Sequence, residues 1–323
     1  MDLTLVKREG NKKRSTFVIN KDLCKHIPGE AKKAVAMFNE LTDLIDTKGN
    51  VLCISFAESS IAIGAHISLM KDWDFIHTTR DPVDSDFLFF EEAHSHAPEH
   101  KLAMTDFSPY DTVVFVEDEL TTGNTILNLK REIDSRKSGL AYKVATLVDG
   151  GAKEKLEAEG IEVIALANLP EMEVPFMEPG NKFECRTAFK TEIKDVAWGQ
   201  NSRMLTKAKD YNKALANLPD VEADLVIGTE ECSYPALWLA AKVGAACQVV
   251  GRSPIVPSNS YEVKFQCSVR SAYDDERIVY GYNFKQYGKV LIVTDGKCDK
   301  GLADLKAALE FFGNENVEVW RLV

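Results

Sequence analysis

Chemistry-bearing residues crowd into one stretch of this 323-residue chain, positions 113–125, which reads VVFVEDELTTGNT. Val113, Val114, Phe115 and Val116 have the length and β-branched content of a buried strand. Three acids follow, Glu117, Asp118 and Glu119, and after Leu120 come Thr121, Thr122, Gly123, Asn124 and Thr125. The next residues, ILNLKREI, have helical spacing. A helix start carries unpaired N–H groups and the positive end of the dipole, so it attracts a phosphate. Gly123 lets the backbone approach closely, and the threonine hydroxyls add donors. Carboxylates at a strand end suit sugar hydroxyls or a hydrated Mg²⁺. A phosphate site joined to a sugar site points to a ribose 5-phosphate. Ordinary N-capping by Thr122 or Asn124 would account for the turn but not for adjacent acids at the end of a buried strand.

Two further groups could join such a site. The run VLCISF (51–56) reads as a buried strand leading through Ala57, Glu58, Ser59 and Ser60 into a small-residue helix, IAIGAHISLM. The strand FIHTTR ends at Arg80, two residues before Pro82. Arg80 is either an anion donor or a surface arginine. The segment EEAHSHAPEH then brings His94, His96 and His100 together. On an extended segment His94 and His96 point to the same side. Histidine can donate a proton or exchange one near neutral pH, and three of them also suit a metal site or a solvated loop.

Strands alternate with helices along the chain, which predicts an α/β fold with a largely parallel sheet flanked by helices. In such sheets ligands bind beyond the carboxyl ends of strands, where Glu58, Glu117 and Asp118 fall. Residues 3–19 read as a β-hairpin, 31–45 as an amphipathic helix, and the proline- and acid-rich 169–185 as linker. Glu58 and Glu230 stand 172 positions apart, as do Arg80 and Arg252, and the helix at 31–45 shifts by the same interval onto 203–217. Asp118 aligns with Asp295 at an offset of 177. These offsets predict two tandem copies of one unit, although shared α/β periodicity alone would give a looser match. The domains expected are 1–168, a linker at 169–201, and a degenerate copy at 202–323. The second copy has CDKGL where the first has TTGNT, so its loop has lost the paired threonines. Glu230, Glu231, Arg252 and Ser253 form its candidate site.

Composition sets the surroundings. The formal charge of −11 disfavours a nucleic-acid partner and requires any phosphate site to be built locally from arginine, lysine, metal or helix ends. Seven scattered cysteines without a CxxC pair argue for a reducing compartment and against a structural zinc. No membrane-length apolar run and no signal-peptide pattern occur, so a cytoplasmic protein with no membrane partner is expected.

The 113–125 stretch resembles the phosphoribosyl-pyrophosphate (PRPP) fingerprint of type I phosphoribosyltransferases, with Glu117 in place of the usual Asp and Asn124 where glycine is common. With CKHIP, EEAHSHAPEH and the Gly251-Arg252-Ser253-Pro254 element, nearly the whole chain resembles the phosphoribosyltransferase proteins of bacterial tellurite-resistance and stress-response gene clusters. In these an orotate-phosphoribosyltransferase-like domain precedes a domain named TRSP. The resemblance implies two tandem type I phosphoribosyltransferase-like units, the second degenerate. It implies a Mg²⁺-dependent transfer of ribose 5-phosphate from PRPP to a small nucleobase-like acceptor, releasing pyrophosphate, in the making of a nucleoside-like metabolite. Glu117 and Asp118 would face the ribose hydroxyls and hold the metal directly or through water; residues 121–125 would cradle the 5-phosphate. Ala57, Glu58, Ser59 and Ser60 would form the pyrophosphate loop, with Glu58 either behind the metal or anchoring the loop. Arg80, His96 and His94 are the catalytic candidates, the histidines lying in the family's hood segment. A homodimer and partners from the same gene cluster follow by analogy only. A non-catalytic PRPP or nucleotide sensor and a ribose-phosphate pyrophosphokinase-like enzyme are the competing readings.

Overall fold

A computed structural model describes residues 1–10, 15–91, 99–173 and 176–323. In chain order the elements are β1 (Leu3–Lys7), β2 (Thr16–Asn20), β3 (Gly29–Glu30), α1 (Ala31–Leu44), β4 (Val51–Ser55), α2 (Ile61–Lys71) and β5 (Asp74–His77). Then come β6 (Phe87–Glu91), β7 (Glu99–Ala103), β8 (Thr112–Leu120), α3 (Asn124–Asp134), β9 (Ala141–Asp149), α4 (Lys153–Ala158) and β10 (Ile161–Asn168). The remainder is β11 (Asn181–Glu184), β12 (Lys194–Val196), α5 (Ala208–Ala216), β13 (Leu225–Thr229), α6 (Tyr234–Val243), β14 (Ala246–Val250), β15 (Phe265–Arg270), β16 (Ile278–Tyr282), β17 (Val290–Thr294), α7 (Asp299–Phe311) and β18 (Val317–Leu322).

The chain forms two compact units that are not cut from it at a single point. The first holds residues 36–171 and 200–216; the second holds 1–35, 172–199 and 217–323.

The first unit is built on a parallel sheet in the order β10-β9-β8-β4-β5. Its central strands β4 and β8 are continuous apolar runs because helices cover both faces, and every residue of β4 is buried. Leu52, Ile54 and Phe115 from the strands and Ile126, Leu129 and Ile133 from α3 share one core cluster. Gly64 of α2 crosses β4 so closely that a Cβ there would run into Ser55 Oγ. The antiparallel hairpin β6–β7 is inserted between β5 and β8 and is tied back by a Thr79–Lys101 bridge.

The second unit repeats this plan. Its sheet runs β12-β18-β17-β13-β14-β3, parallel except for β3 at the edge. Strands β13, β14, β17 and β18 take the places of β4, β5, β8 and β9. The inserted hairpin is β15–β16, tied back by a Gly251–Tyr280 bridge 172 positions beyond Thr79. Both units are thus α/β with helix-flanked, largely parallel sheets of the same strand order.

Three boundaries differ from the sequence reading. The helix expected at 203–217 begins only at Ala208, because Thr206 pairs antiparallel with Phe75 at the edge of the first sheet. There His77 Nε2 meets Ser202 Oγ at 3.0 Å, Arg203 lies 3.8 Å from Asp81, and Met204 packs on the core. The segment read as linker contains β11, which pairs with β15 because Phe183 has an aromatic core to join, 5.8 Å from Phe265. Strand β8, read as a four-residue apolar run ending in carboxylates, runs on through all three acids to Leu120.

Candidate active site

In the first sheet the chain moves from β4 outward to β5 and then returns to the other side of β4 as β8. The strand order therefore reverses between β4 and β8, and the crevice beyond their carboxyl ends is where open α/β sheets bind ligands. Sequence supplies both walls. Val116 pairs with Ser55, the last rung to β4; β8 then continues to Leu120 on β9 alone. Glu117, Asp118 and Glu119 thus extend past the end of β4 and are half-buried. The strand pleat turns Glu117 and Glu119 to one face and Asp118 to the other. The Asp118 carboxylate has no hydrogen bond or ion pair with any described residue, so its oxygens are open to hydroxyls or a cation.

After β8 the loop meets α3. Gly123 is the N-cap, with φ +66°, and no side chain caps the helix, so its first turn keeps donors for an anion. A Cβ at Gly123 would lie 2.8 Å from Leu156 Cδ2. The Asn124 N–H reaches Thr122 Oγ1 only at 3.4 Å, and the Thr121 and Thr125 hydroxyls make no bond with a described residue. Lys155 of α4, which sequence reasoning passed over, donates to Thr122 O at 2.8 Å and also to Asn124 Oδ1.

After β4 the loop of Ala57, Glu58, Ser59 and Ser60 opens α2, with the Ala57–Glu58 peptide cis. Ala57 N–H donates to Thr78 Oγ1 at 2.9 Å. Ser60 is fully buried; its hydroxyl accepts from Phe56 N–H at 2.8 Å and donates to Phe56 O at 2.9 Å. Ser60 therefore sets the loop's shape and has no hydroxyl left for a ligand, whereas Ser59 is half-buried with its hydroxyl unengaged by described residues. Glu58 is buried at 8 % exposure. Arg80 follows Thr79, which the hairpin holds through Thr79 N–H to Lys101 O at 2.8 Å. The hairpin is thereby anchored beside Arg80. The catalytic candidates His94 and His96 lie outside the described residues; of His100 the structure gives the β7 backbone.

The second unit's equivalent positions are differently used. Glu230 is 1 % exposed, with φ +47°. Its carboxylate accepts from Arg252 Nε at 2.7 Å, Arg277 at 3.1 Å and the Ser271 hydroxyl. Glu231 lies 3.7 Å from Arg252. The Ser253 carbonyl accepts from the Tyr282 hydroxyl and from Ile255 N–H at 3.2 Å. Where the first unit has an uncapped turn at 121–125, the second is filled by its own hairpin. Cys298 N–H donates to Ala272 O at 2.8 Å, and a Cβ at Gly296 or Gly301 would strike the carbonyl of Ala272 or Ser271. Tyr273 donates to Asp295, the counterpart of Asp118. Sequence showed the loss of the threonines but had no signal for what fills their place.

Among the described residues no group of three or more His, Cys, Asp or Glu is spaced to hold a metal, no helix is long and apolar enough to cross a membrane, and all seven cysteines are free.

Comparison with known proteins gives the same two-part order. A family model described as phosphoribosyl transferase matches residues 3–167, just over half of the chain, and one described as the TRSP domain C-terminal to it matches 196–309. The orotate phosphoribosyltransferase of Methanocaldococcus jannaschii is 42 % identical over 65 residues, 20 % of this chain and 36 % of the relative. The chain thus spans about a third of the length of the curated relative it matches. Among solved structures, the adenine phosphoribosyltransferase of Thermoanaerobacter pseudethanolicus aligns with TM-score 0.40 and 19 % identity over 52 % of this chain and 95 % of that one. The orotate phosphoribosyltransferase of Aeropyrum pernix aligns with TM-score 0.35 and 17 % identity over 51 % and 88 %.

Proposed function

The chain belongs to the phosphoribosyl transferase family, and from that premise we propose that it uses PRPP and Mg²⁺ to ribosylate a small nucleobase-like acceptor, releasing pyrophosphate. The observation that carries this reading is the crevice between β4 and β8. One side holds the carboxylates at the end of β8 and an uncapped helix start, the other the loop after β4 that opens α2.

In phosphoribosyl transfer the bond from the anomeric carbon to pyrophosphate breaks while a nucleophile, usually a ring nitrogen, attacks. Positive charge grows on the ribose and negative charge on the leaving group, so catalysis consists of holding the ribose and stabilising the departing anion. Residues 121–125 hold the 5-phosphate through first-turn N–H groups and the open hydroxyls of Thr121 and Thr125. Asp118 and Glu117 take the ribose hydroxyls. The loop of Ala57, Glu58, Ser59 and Ser60, whose Ala57 N–H is taken by Thr78, offers its remaining backbone N–H groups to pyrophosphate, with Arg80 as charged donor and His94 or His96 as proton donors. A hard cation fits here, because Asp118 supplies unengaged carboxylate oxygens and Mg²⁺ is commonly held by one or two carboxylates plus substrate phosphates and water. When bound, the metal neutralises the leaving pyrophosphate.

The test is pyrophosphate release from PRPP and Mg²⁺ in the presence of pooled small-molecule extract. Wild type should release pyrophosphate only with extract, and Asp118→Asn should lose at least about 100-fold in rate, the scale of removing one preorganised charged group. PRPP binding by calorimetry without release under any extract would replace the transferase with a PRPP sensor. Release that requires ATP would favour a pyrophosphokinase.

A further inference from the structure

A chain of charge −11 must bring its own cation to a phosphate, and the loop at 121–125 contains none. Three acids stand immediately before it, so a dianionic 5-phosphate would meet repulsion as well as the helix dipole. The cation at the loop comes from elsewhere. Two consecutive residues of α4 grip the loop. Leu156, fully buried in the core, fills the space that a Cβ at Gly123 would need. Lys155 reaches over the exposed side to Thr122 O and Asn124 Oδ1. An ammonium has three N–H donors, and these are the two that Lys155 spends on described residues.

We propose that Lys155 is a phosphate-binding residue, pinned across the loop by Thr122 and Asn124 so that its third N–H and its charge meet the 5-phosphate of the ribose substrate. This rests on the assignment of the loop to the 5-phosphate made above. Asn124, the departure from the glycine of the resembled fingerprint, thereby acquires a role, because its side-chain oxygen aims the lysine. The turn then has what its sequence lacks, a point charge on a phosphate whose geometry is otherwise set by backbone donors.

The test is calorimetry on the full chain with ribose 5-phosphate and, separately, Mg²⁺-pyrophosphate, for wild type, Lys155→Met and Lys155→Arg. Lys155→Met should weaken ribose 5-phosphate roughly 10- to 50-fold, the scale of a charge-assisted contact. Lys155→Arg should restore most of it, pyrophosphate affinity should stay within about 2-fold, and the affinity of wild type should fall more steeply with salt than that of Lys155→Met. Wild type that binds ribose 5-phosphate with Lys155→Met binding it equally well overturns the role of Lys155 alone. Wild type that binds pyrophosphate but not ribose 5-phosphate overturns the loop assignment and Lys155 with it. A Lys155→Met protein that loses both ligands, without rescue by arginine, has lost its loop, and the lysine is then only a structural tether.

Discussion

At the scale of residues, the candidate site depends on how closely α4 presses on the turn at 121–125. Gly123 has φ +66° and no room for a Cβ, so Gly123→Ala meets both backbone strain and Leu156. The expected cost is about 2 kcal/mol of stability, with loss of ribose 5-phosphate affinity because the loop must shift. Urea unfolding beside calorimetry checks this; unchanged values in both would show that the turn accommodates a side chain. The sequence made the turn at Gly123 legible because a strand-turn-helix junction is local, with all its groups inside ten residues. Lys155, Thr78 and Leu156 were not legible. They reach the site through α4 and the end of β5, and no spacing in the chain links position 155 to 122 or 78 to 57. Ser60 was legible as part of a loop, but that its hydroxyl turns inward to Phe56 is a fact of side-chain packing.

At the scale of elements, α1 and α2 meet at a buried histidine. His66 is 5 % exposed, and its Nε2 bonds Asn39 Oδ1 at 2.8 Å. Burial pushes its pKa down to about 4, against about 6.5 for a free imidazole. The folded state thus favours neutral His66, and the unfolded chain binds more protons between these values. Its contribution is complete above pH 6.5 and is lost as pH falls toward 4, up to about 3 kcal/mol. The urea midpoint of wild type should drop over that window, and His66→Gln, which cannot titrate, should flatten this part of the curve. A variant curve parallel to that of wild type would remove His66 as the cause. The repeat of elements was readable from charged landmarks at a fixed interval. The matching bridges at Thr79 and Gly251 now give that interval a structural meaning, since both tie an inserted hairpin to the strand end just before an arginine.

At the scale of the whole molecule, the two compact units exchange segments: residues 1–35 fold with the C-terminal part of the chain, and 200–216 fold with the N-terminal part. Tyr211 of α5 stacks on Phe75, and the Arg203–Asp81 pair is buried on both sides. A fragment ending at residue 199 should therefore expose the β5 edge. Fragment 36–216 should unfold cooperatively, whereas 36–199 should melt lower or aggregate, as uncovered edge strands do. Equal melting of the two fragments would show that α5 adds nothing to the first unit.

By itself the sequence determined the α/β class, the repeat of one sheet plan, and the grouping of acids, threonines and a glycine at residues 117–125, because apolar runs, helix spacing and turn residues act over short distances. Tertiary structure alone decided where the far partners fall. It set β8 beyond the end of β4, brought Lys155 over the turn, closed the second unit's loop with residues 271–273 and passed 200–216 to the first unit. These outcomes depend on which buried surfaces fit together across many tens of residues, and local periodicity carries no record of that fit.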